Sequence, residues 1–362
     1  MKTAKKIVLI LIVIMLLLPG ISFARRTRSS LDTPEIRALL PIIVEAITSQ
    51  DKEKISTLVS GNSTLSSKKY WSSLLNNLNK DSWKAETYSM LAITSKRIGE
   101  HRDAVEYYKQ AAEEFKILGM IANAGARLEQ ASIVLKQQLF RYDESIDVRI
   151  ESAECFREAG NYLEAGRMYA SAIDITLNNT TKYDNDSQWL FDTYLACAQC
   201  FKDGGDFKTA AGKYDSVGYY AAQKLYDNKL SVLYNVKSAE CAQAAAEQFL
   251  TKDRLQDALF MFKSAVKRYA FAATLSGSEL DDFVLYSNLA AEISSRIAEL
   301  YNQMGETTLE KKAWGETANL YLTIMRAHIV LNNKSLLENF RIKAALALEN
   351  ANMFEEAQKL FR

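Results

Sequence analysis

After position 41 the sequence contains no proline; its three prolines stand at 19, 34 and 41. Proline costs about 3 kcal/mol inside a helix, so its absence from the rest of the chain suits an all-helical body. No long stretch alternates Val, Ile and Thr with period two, so no sheet is expected. Charge of one sign is lacking as well: 45 Lys and Arg face 44 Asp and Glu. That balance excludes the basic stripe of an ordinary nucleic-acid partner. Histidine occurs twice, at His101 and His328, and cysteine four times, at Cys155, Cys197, Cys200 and Cys241. A zinc site needs about four N or S donors, and the two histidines lie far from the single CxxC at Cys197–Cys200. That CxxC falls within a predicted helix, not on the strand-to-helix turn of a redox motif. Packed core thiols are the reading that follows. Gly-rich phosphate loops, His/Glu metal helices and nucleophile elbows are missing too. Glu113-Glu114 and Asp281-Asp282 read as solvated helix ends. No catalytic, metal-binding or cofactor-binding residue is assigned, and a noncatalytic protein is expected.

What is present begins at the N-terminus. Lys2, Lys5 and Lys6 precede the apolar run Ile7 to Leu18, and small residues stand at Ser22 and Ala24. Residues 1–24 have the charged, apolar and small-residue regions of a secretory signal peptide. An uncleaved N-terminal anchor is the alternative, because the apolar stretch nearly reaches the ~18 residues that a span needs. Export across a membrane, or tethering to one through this segment, is expected; removing 1–24 would leave 42 basic and 44 acidic residues.

A module recurs in the body. Taking Tyr162 as reference, Ala153 stands nine before, Ala165 three after, Tyr169 seven after and Ala172 ten after. His101 gives Ala92, Ala104, Tyr108 and Ala111; Phe207 gives Ala198, Ala210, Tyr214 and Val217. Leu255 gives Ala246, Ala258, Phe262 and Ala265; Thr307 gives Ala298, Glu310, Trp314 and Thr317. Phe354 gives Ala345, Ala357 and Phe361. The position nine before is Ala at all six references, and the one seven after is aromatic at all six. Six before, Phe156, Phe201, Phe249, Tyr301 and Leu348 recur, with Ser95 as the exception. Two before, Gly recurs at 99, 160, 205 and 305. Gly ends a first helix, Ala lets the second approach closely, and the aromatic fills the gap to the next pair. Each pair leaves an apolar face that only its neighbour can cover.

Small residue, aromatic, Gly, aromatic, Ala, aromatic and Ala in this order resemble the tetratricopeptide repeat (TPR). The references lie 61, 45, 48, 52 and 47 residues apart, against 34 for the standard repeat. The long-helix segment Glu154 to Ala165 is similar to the soluble NSF attachment protein (alpha-SNAP) branch. The resemblance, over roughly residues 85–362, implies an all-α, right-handed superhelical solenoid of antiparallel helix pairs that binds protein partners. A SNAP-like adaptor of membrane-fusion or trafficking complexes is one alternative, which the N-terminus opposes; an enzyme on an α-helical toroid is another. Peptide-binding members often hold a terminal carboxylate with Lys, Arg and Asn; the corresponding Ser89, Ile93, Ile150, Glu154, Leu195 and Gln199 do not form such a clamp.

Residues 25–84 read as a lead-in, disordered at 25–32, with helices over 34–58 and 67–79. Residues 120–138 read as an additional helix inside the 61-residue gap, with no unit counted there. Polar loops are expected at 60–67, 178–187 and 274–282. Asn62, Asn178, Asn179, Asn185 and Asn333 open N-x-Ser/Thr sequons and are possible glycosylation sites. Arg362 is expected inside a second helix with no capping helix after it.

Overall fold

The computed structural model describes residues 67–77, 84–179, 186–277 and 279–362, and positions 39, 42, 45, 46, 54 and 57; for 73–77 it describes the backbone alone. The predicted signal peptide, Asn62 and Asn185 lie outside the described residues. The described segments form fourteen α-helices and no strand. We number them α1 (Lys68–Asn77), α2 (Lys84–Arg97), α3 (His101–Ile117), α4 (Ile121–Gln137), α5 (Tyr142–Glu158), α6 (Tyr162–Asn179) and α7 (Ser187–Asp203). Then come α8 (Phe207–Gln223), α9 (Asn228–Leu250), α10 (Leu255–Ser276), α11 (Leu280–Gln303), α12 (Thr307–Val330), α13 (Lys334–Asn350) and α14 (Phe354–Lys359). They fall into two compact units, Met1–Ala159 and Gly160–Arg362. Within each unit consecutive helices pack against one another, giving the all-α array of helix pairs read from the sequence.

All six reference residues are the first residue of a helix. The residue two before each is in the left-handed region: Gly99, Gly160, Gly205, Gly305, Asp253 and Asn352 have φ between +55° and +87°. Where Gly is missing, Asp or Asn stands, the side chains that tolerate this conformation best. The residue one before donates its N–H to the carbonyl five residues back: Asp206 to Phe201, Arg254 to Phe249 and Glu306 to Tyr301, all at 2.9 Å. This is the 6→1 bond of a Schellman turn. The recurring aromatic six before the reference therefore carries the carbonyl that closes the turn.

The same turn occurs at Gly119, where φ is +70° and Met120 donates to Phe115 at 2.8 Å. Ile121 is thus a seventh reference, with Ala112, Phe115, Gly119, Ala124 and Ala131 in place and Leu128 where an aromatic stood elsewhere. Ile121 divides the 61-residue interval between His101 and Tyr162 into 20 and 41 residues, so α3 lies between two such turns. Leu128 is 1% exposed and fills the aromatic's place.

Hydroxyl-to-carbonyl bonds show how closely consecutive helices approach. Ser152 Oγ donates to the Gly125 carbonyl at 2.8 Å, and Ser145 Oγ to that of Ser132 at 2.8 Å, both from α5 to α4. Ser238 Oγ donates to the Ala211 carbonyl at 2.8 Å, and Ser231 Oγ to that of Gly218 at 3.0 Å, both from α9 to α8. The sequence separations are 27 and 13 in both seams. One number rises by seven as the other falls by seven, so each seam is antiparallel. A third seam has a thiol in this role: Cys197 Sγ lies 3.4 Å from the Gly166 carbonyl.

The assigned alanines, Ala92, Ala104, Ala153, Ala165, Ala198, Ala210, Ala246, Ala258, Ala298, Ala345 and Ala357, are all buried. So are Tyr108, Tyr169, Tyr214 and Phe262, while Phe207 and Trp314 are half-buried and Tyr162 is 37% exposed. Phe361 departs from the expectation: α14 ends at Lys359, so Phe361 and Arg362 lie beyond the helix and Phe361 is exposed. Asn178 and Asn179, expected in a loop, form the exposed last turn of α6. Asn333 caps α13, its Oδ1 accepting from the Leu336 N–H at 3.2 Å. Tyr70 and Trp71 of the lead-in enter the same core as Leu91, Phe115 and Leu128.

Unit 1 also buries charge. Glu86 on α2 is 8% exposed, and its Oε2 has no hydrogen-bond partner. Burial pushes its carboxyl from the usual 4.5 up to about 7, against the pull of Arg127, itself buried on α4. The folded state then holds this proton more tightly than the unfolded chain, so stability falls as pH rises from about 4.5 to about 7 and levels off above.

Three variants check this description. Gly125→Val places side-chain atoms against a backbone carbonyl, since even a Cβ there would lie 3.2 Å from the Ser152 oxygen; urea unfolding is expected to show a loss of about 1–3 kcal/mol. Gly212→Ala, where a Cβ meets nothing within 4 Å, is expected to gain up to about 1 kcal/mol from helix propensity. For Glu86→Gln, unfolding midpoints at pH 5 and pH 7.5 are expected to coincide, whereas the parent chain loses about 3 kcal/mol over the full titration.

Candidate functional site

A cleft of about 490 Å³ opens on unit 2 between α8 and α10, with α9 beneath and Tyr194 of α7 at one end. Its floor follows from one residue. Gly218 faces Asn235, and a Cβ at Gly218 would meet the Asn235 amide nitrogen at 2.7 Å. Without that Cβ, α9 comes close enough for Ser231 Oγ to reach the Gly218 carbonyl. Asn235, 2% exposed, is fixed in turn by donating Nδ2 to the Ser231 carbonyl at 2.8 Å. The floor is therefore polar and held in place.

The walls are aromatic. Tyr194 stacks on Tyr220 with centroids 5.5 Å apart, and Tyr219 meets Tyr220 edge-on at 5.6 Å. Tyr219 on α8 and Phe271 on α10 remain 56% and 43% exposed. Both sit on regular helices, so the rings are presented by rigid backbone. Arg268 of α10 and Asp215 of α8 form an ion pair across the cleft. Burial pushes the Asp215 carboxyl up, while Arg268 and Lys267 pull it down. Lys213 Nζ lies 5.5 Å from the Tyr194 ring centroid. The Tyr194 hydroxyl is pushed up to about 12, chiefly by burial, so it remains protonated at neutral pH. Asp215 and Arg268 are the charged residues that line the cleft, and they are paired with each other.

None of the residues assigned from the sequence lines this cleft; the assigned alanines and Tyr108, Tyr169, Tyr214 and Phe262 are buried. Tyr214, at the back of α8, stacks on Tyr234 at 6.2 Å and donates its hydroxyl to Gln199 Oε1 at 2.9 Å. The four cysteines are buried. Burial raises the Cys197 thiol to about 12 and the Cys241 thiol to about 11, which leaves them unreactive at neutral pH. His328 is buried against the Phe340 ring, with centroids 5.3 Å apart, and burial lowers its proton affinity. Among the described residues no group of His, Cys, Asp and Glu could hold a metal ion, and no helix is long and apolar enough to cross a membrane. The sequence held one sign of the cleft: Gly218 followed by Tyr219 and Tyr220 inside a helix, where glycine has a packing reason or none.

The model of the family described as soluble NSF attachment protein, SNAP, matches residues 73–183. No curated protein matches at the level of sequence. Among solved structures, BtubC (BKLC) from P. vanneervenii is 14% identical over 67% of this chain and 87% of its own, with a TM-score of 0.27. The TPR domain of P58(IPK) is 12% identical over 90% and 98%, at 0.21. A Rap protein complexed with competence and sporulation factor is 13% identical over 91% and 96%, at 0.24. With its helix pairs, Schellman turns and the match over residues 73–183, this chain is similar to the TPR-like superfamily in its long-helix SNAP branch.

Proposed function

We propose that this chain is a noncatalytic adaptor that binds another protein through its helical surface. The cleft on unit 2 carries the reading: α8 and α10 hold Tyr219 and Phe271 out to solvent beside an ion pair. Rigid aromatic and Arg side chains around a partly desolvated cleft are the chemistry of interface hot spots. The charged groups that line it are a single ion pair, which suits holding a ligand better than transferring a proton. The protein-binding character of TPR-like arrays points the same way.

We further propose that the adaptor works outside the cytoplasm, delivered or tethered by residues 1–24. The SNAP match over residues 73–183 favours a second reading, an adaptor of membrane-fusion or trafficking complexes, which requires a cytosolic body.

Two experiments decide. Tyr219→p-benzoylphenylalanine in the native host, followed by irradiation, is expected to give a discrete cross-linked protein; adducts no stronger than those from the exposed control position Glu316 overturn the adaptor reading. N-terminal sequencing of the native protein is expected to begin at Arg25, or at Met1 with the body protected from protease in intact cells. A Met1 start with a body in the cytosolic fraction favours the fusion-adaptor reading.

A further inference from the structure

We infer that unit 1 holds a binding site for a small singly charged anion, chloride- or formate-sized, on the Arg127 guanidinium of α4, with the Glu86 carboxyl of α2 as its second donor. The site is separate from the cleft and does not rest on the adaptor reading. Arg127 is 5% exposed. Its Nε is enclosed with no hydrogen-bond partner, and among the described residues the guanidinium donates no hydrogen bond and joins no ion pair. Burial works against its charge, yet a guanidinium keeps its proton in proteins and presents five N–H donors. A buried cation without a partner is strongly destabilising. The fold therefore leaves at Arg127 a demand for an acceptor, and an anion meets it with the strongest hydrogen bonds.

The surrounding groups do not supply that acceptor. Glu86 is buried as well, and its Oε2 has no partner. It acts on Arg127 through space without forming an ion pair, so the two orphaned groups are near each other and not in contact. Burial pushes the Glu86 carboxyl up to about 7 against the pull of Arg127, and a protonated carboxyl is itself a donor. Tyr108 of α3 is buried, which pushes its hydroxyl up to about 12 and keeps it neutral. Glu129 of α4 acts on Arg127, but it also acts on Arg149 of α5, which is buried too. The serine rungs to Gly125 and Ser132 bracket Arg127 on α4 and Arg149 on α5. Two guanidinia thus enter this stretch of the interior against Glu129 alone while Glu86 holds its proton. Donors on two helices and an excess of positive charge select a negative ligand. The burial of both side chains admits an ion of few atoms and excludes a peptide or a phosphorylated side chain.

The test uses the purified chain at constant ionic strength, with sodium gluconate as the reference salt and sodium chloride or sodium formate as the probe. At pH 6 both probes are expected to raise the unfolding temperature saturably above its value in gluconate, as a ligand of the folded state does. The chlorine-35 NMR line of chloride is expected to broaden when the protein is present and to sharpen again on adding formate. Arg127→Gln is expected to abolish both effects. Raising the pH to 8.5 ionises Glu86 beside Arg127 and is expected to weaken chloride about tenfold; Glu86→Gln, which keeps a neutral donor there, is expected to bind chloride equally at the two pH values. Equal unfolding temperatures in chloride and gluconate show that water alone meets Arg127 and overturn the site. Line broadening that a folded Arg127→Gln retains, or benzoate matching formate as a competitor, places the anion on the surface and overturns it as well. If Arg127→Gln is unfolded, the Glu86→Gln comparison decides: chloride affinity that falls with pH as steeply in that variant as in the parent chain sinks the assignment.

Discussion

Close approach of helix backbones is the constraint on which the rest depends. At the α4–α5 and α8–α9 seams, serine hydroxyls on one helix reach carbonyls on the next at 2.8–3.0 Å. Those carbonyls already close their own helix, so the hydroxyl supplies a second bond worth about 1 kcal/mol. The bond is possible only where the opposing residue is as small as Gly125, Ser132, Ala211 or Gly218. A mid-helix glycine costs about 1 kcal/mol against alanine, so the gain must come from what the approach permits. At Gly166 the Phe201 ring lies where a Cβ would be only 3.1 Å away. Seating such rings is worth roughly 1.5–3 kcal/mol each, which offsets the glycine. Gly212 and Gly315, with nothing within 4 Å, show that glycine in these helices is not uniformly a packing device.

The turns set how such seams repeat. A left-handed residue followed at once by a helix start makes one short segment end one helix and cap the next. Asp206 shows both roles: its N–H closes the turn on Phe201, and its carboxylate accepts from the Thr209 N–H at 3.1 Å. Asp186 and Asp227 cap α7 and α10's neighbour α9 in the same way. With so few residues between helices, consecutive helices have little choice but to pack against each other.

This explains what could be read from the sequence and what could not. Turn chemistry is local, so Gly99, Gly160, Gly205 and Gly305 announced helix boundaries that the structure reproduces at His101, Tyr162, Phe207 and Thr307. The turn before Ile121 is followed by Leu128 where the six other references have an aromatic. Leu128 has enough volume to fill that place, and the packing selects for volume rather than for a ring. The carbonyl rungs were hidden because a serine donor and its acceptor lie 13 or 27 residues apart on different helices. The cleft was hidden for a related reason: its lining comes from four helices, and periodicity reports which face of a helix is buried, not which neighbouring lip it meets. Phe271 and Tyr219 stand off the buried stripe and belong to no recurring position.

The cysteines show how seam and surface divide the work. Cys197 occupies the donor position that serine holds in the other two seams, and its thiol faces the Gly166 carbonyl. Sulfur is larger and a weaker donor than a hydroxyl, yet it fits because Gly166 offers no Cβ. Enclosure of this kind disfavours the thiolate, and without thiolate neither metal binding nor exchange proceeds readily. The one sequence motif with a chemical reputation is thus consumed by packing. Recognition is left to side chains that packing does not need, and on unit 2 those are the exposed rings and the Arg268–Asp215 pair. A substitution in the seam would act on such a surface only by moving the helices that carry it, whereas one at Tyr219 or Phe271 would change the surface and leave the seams intact.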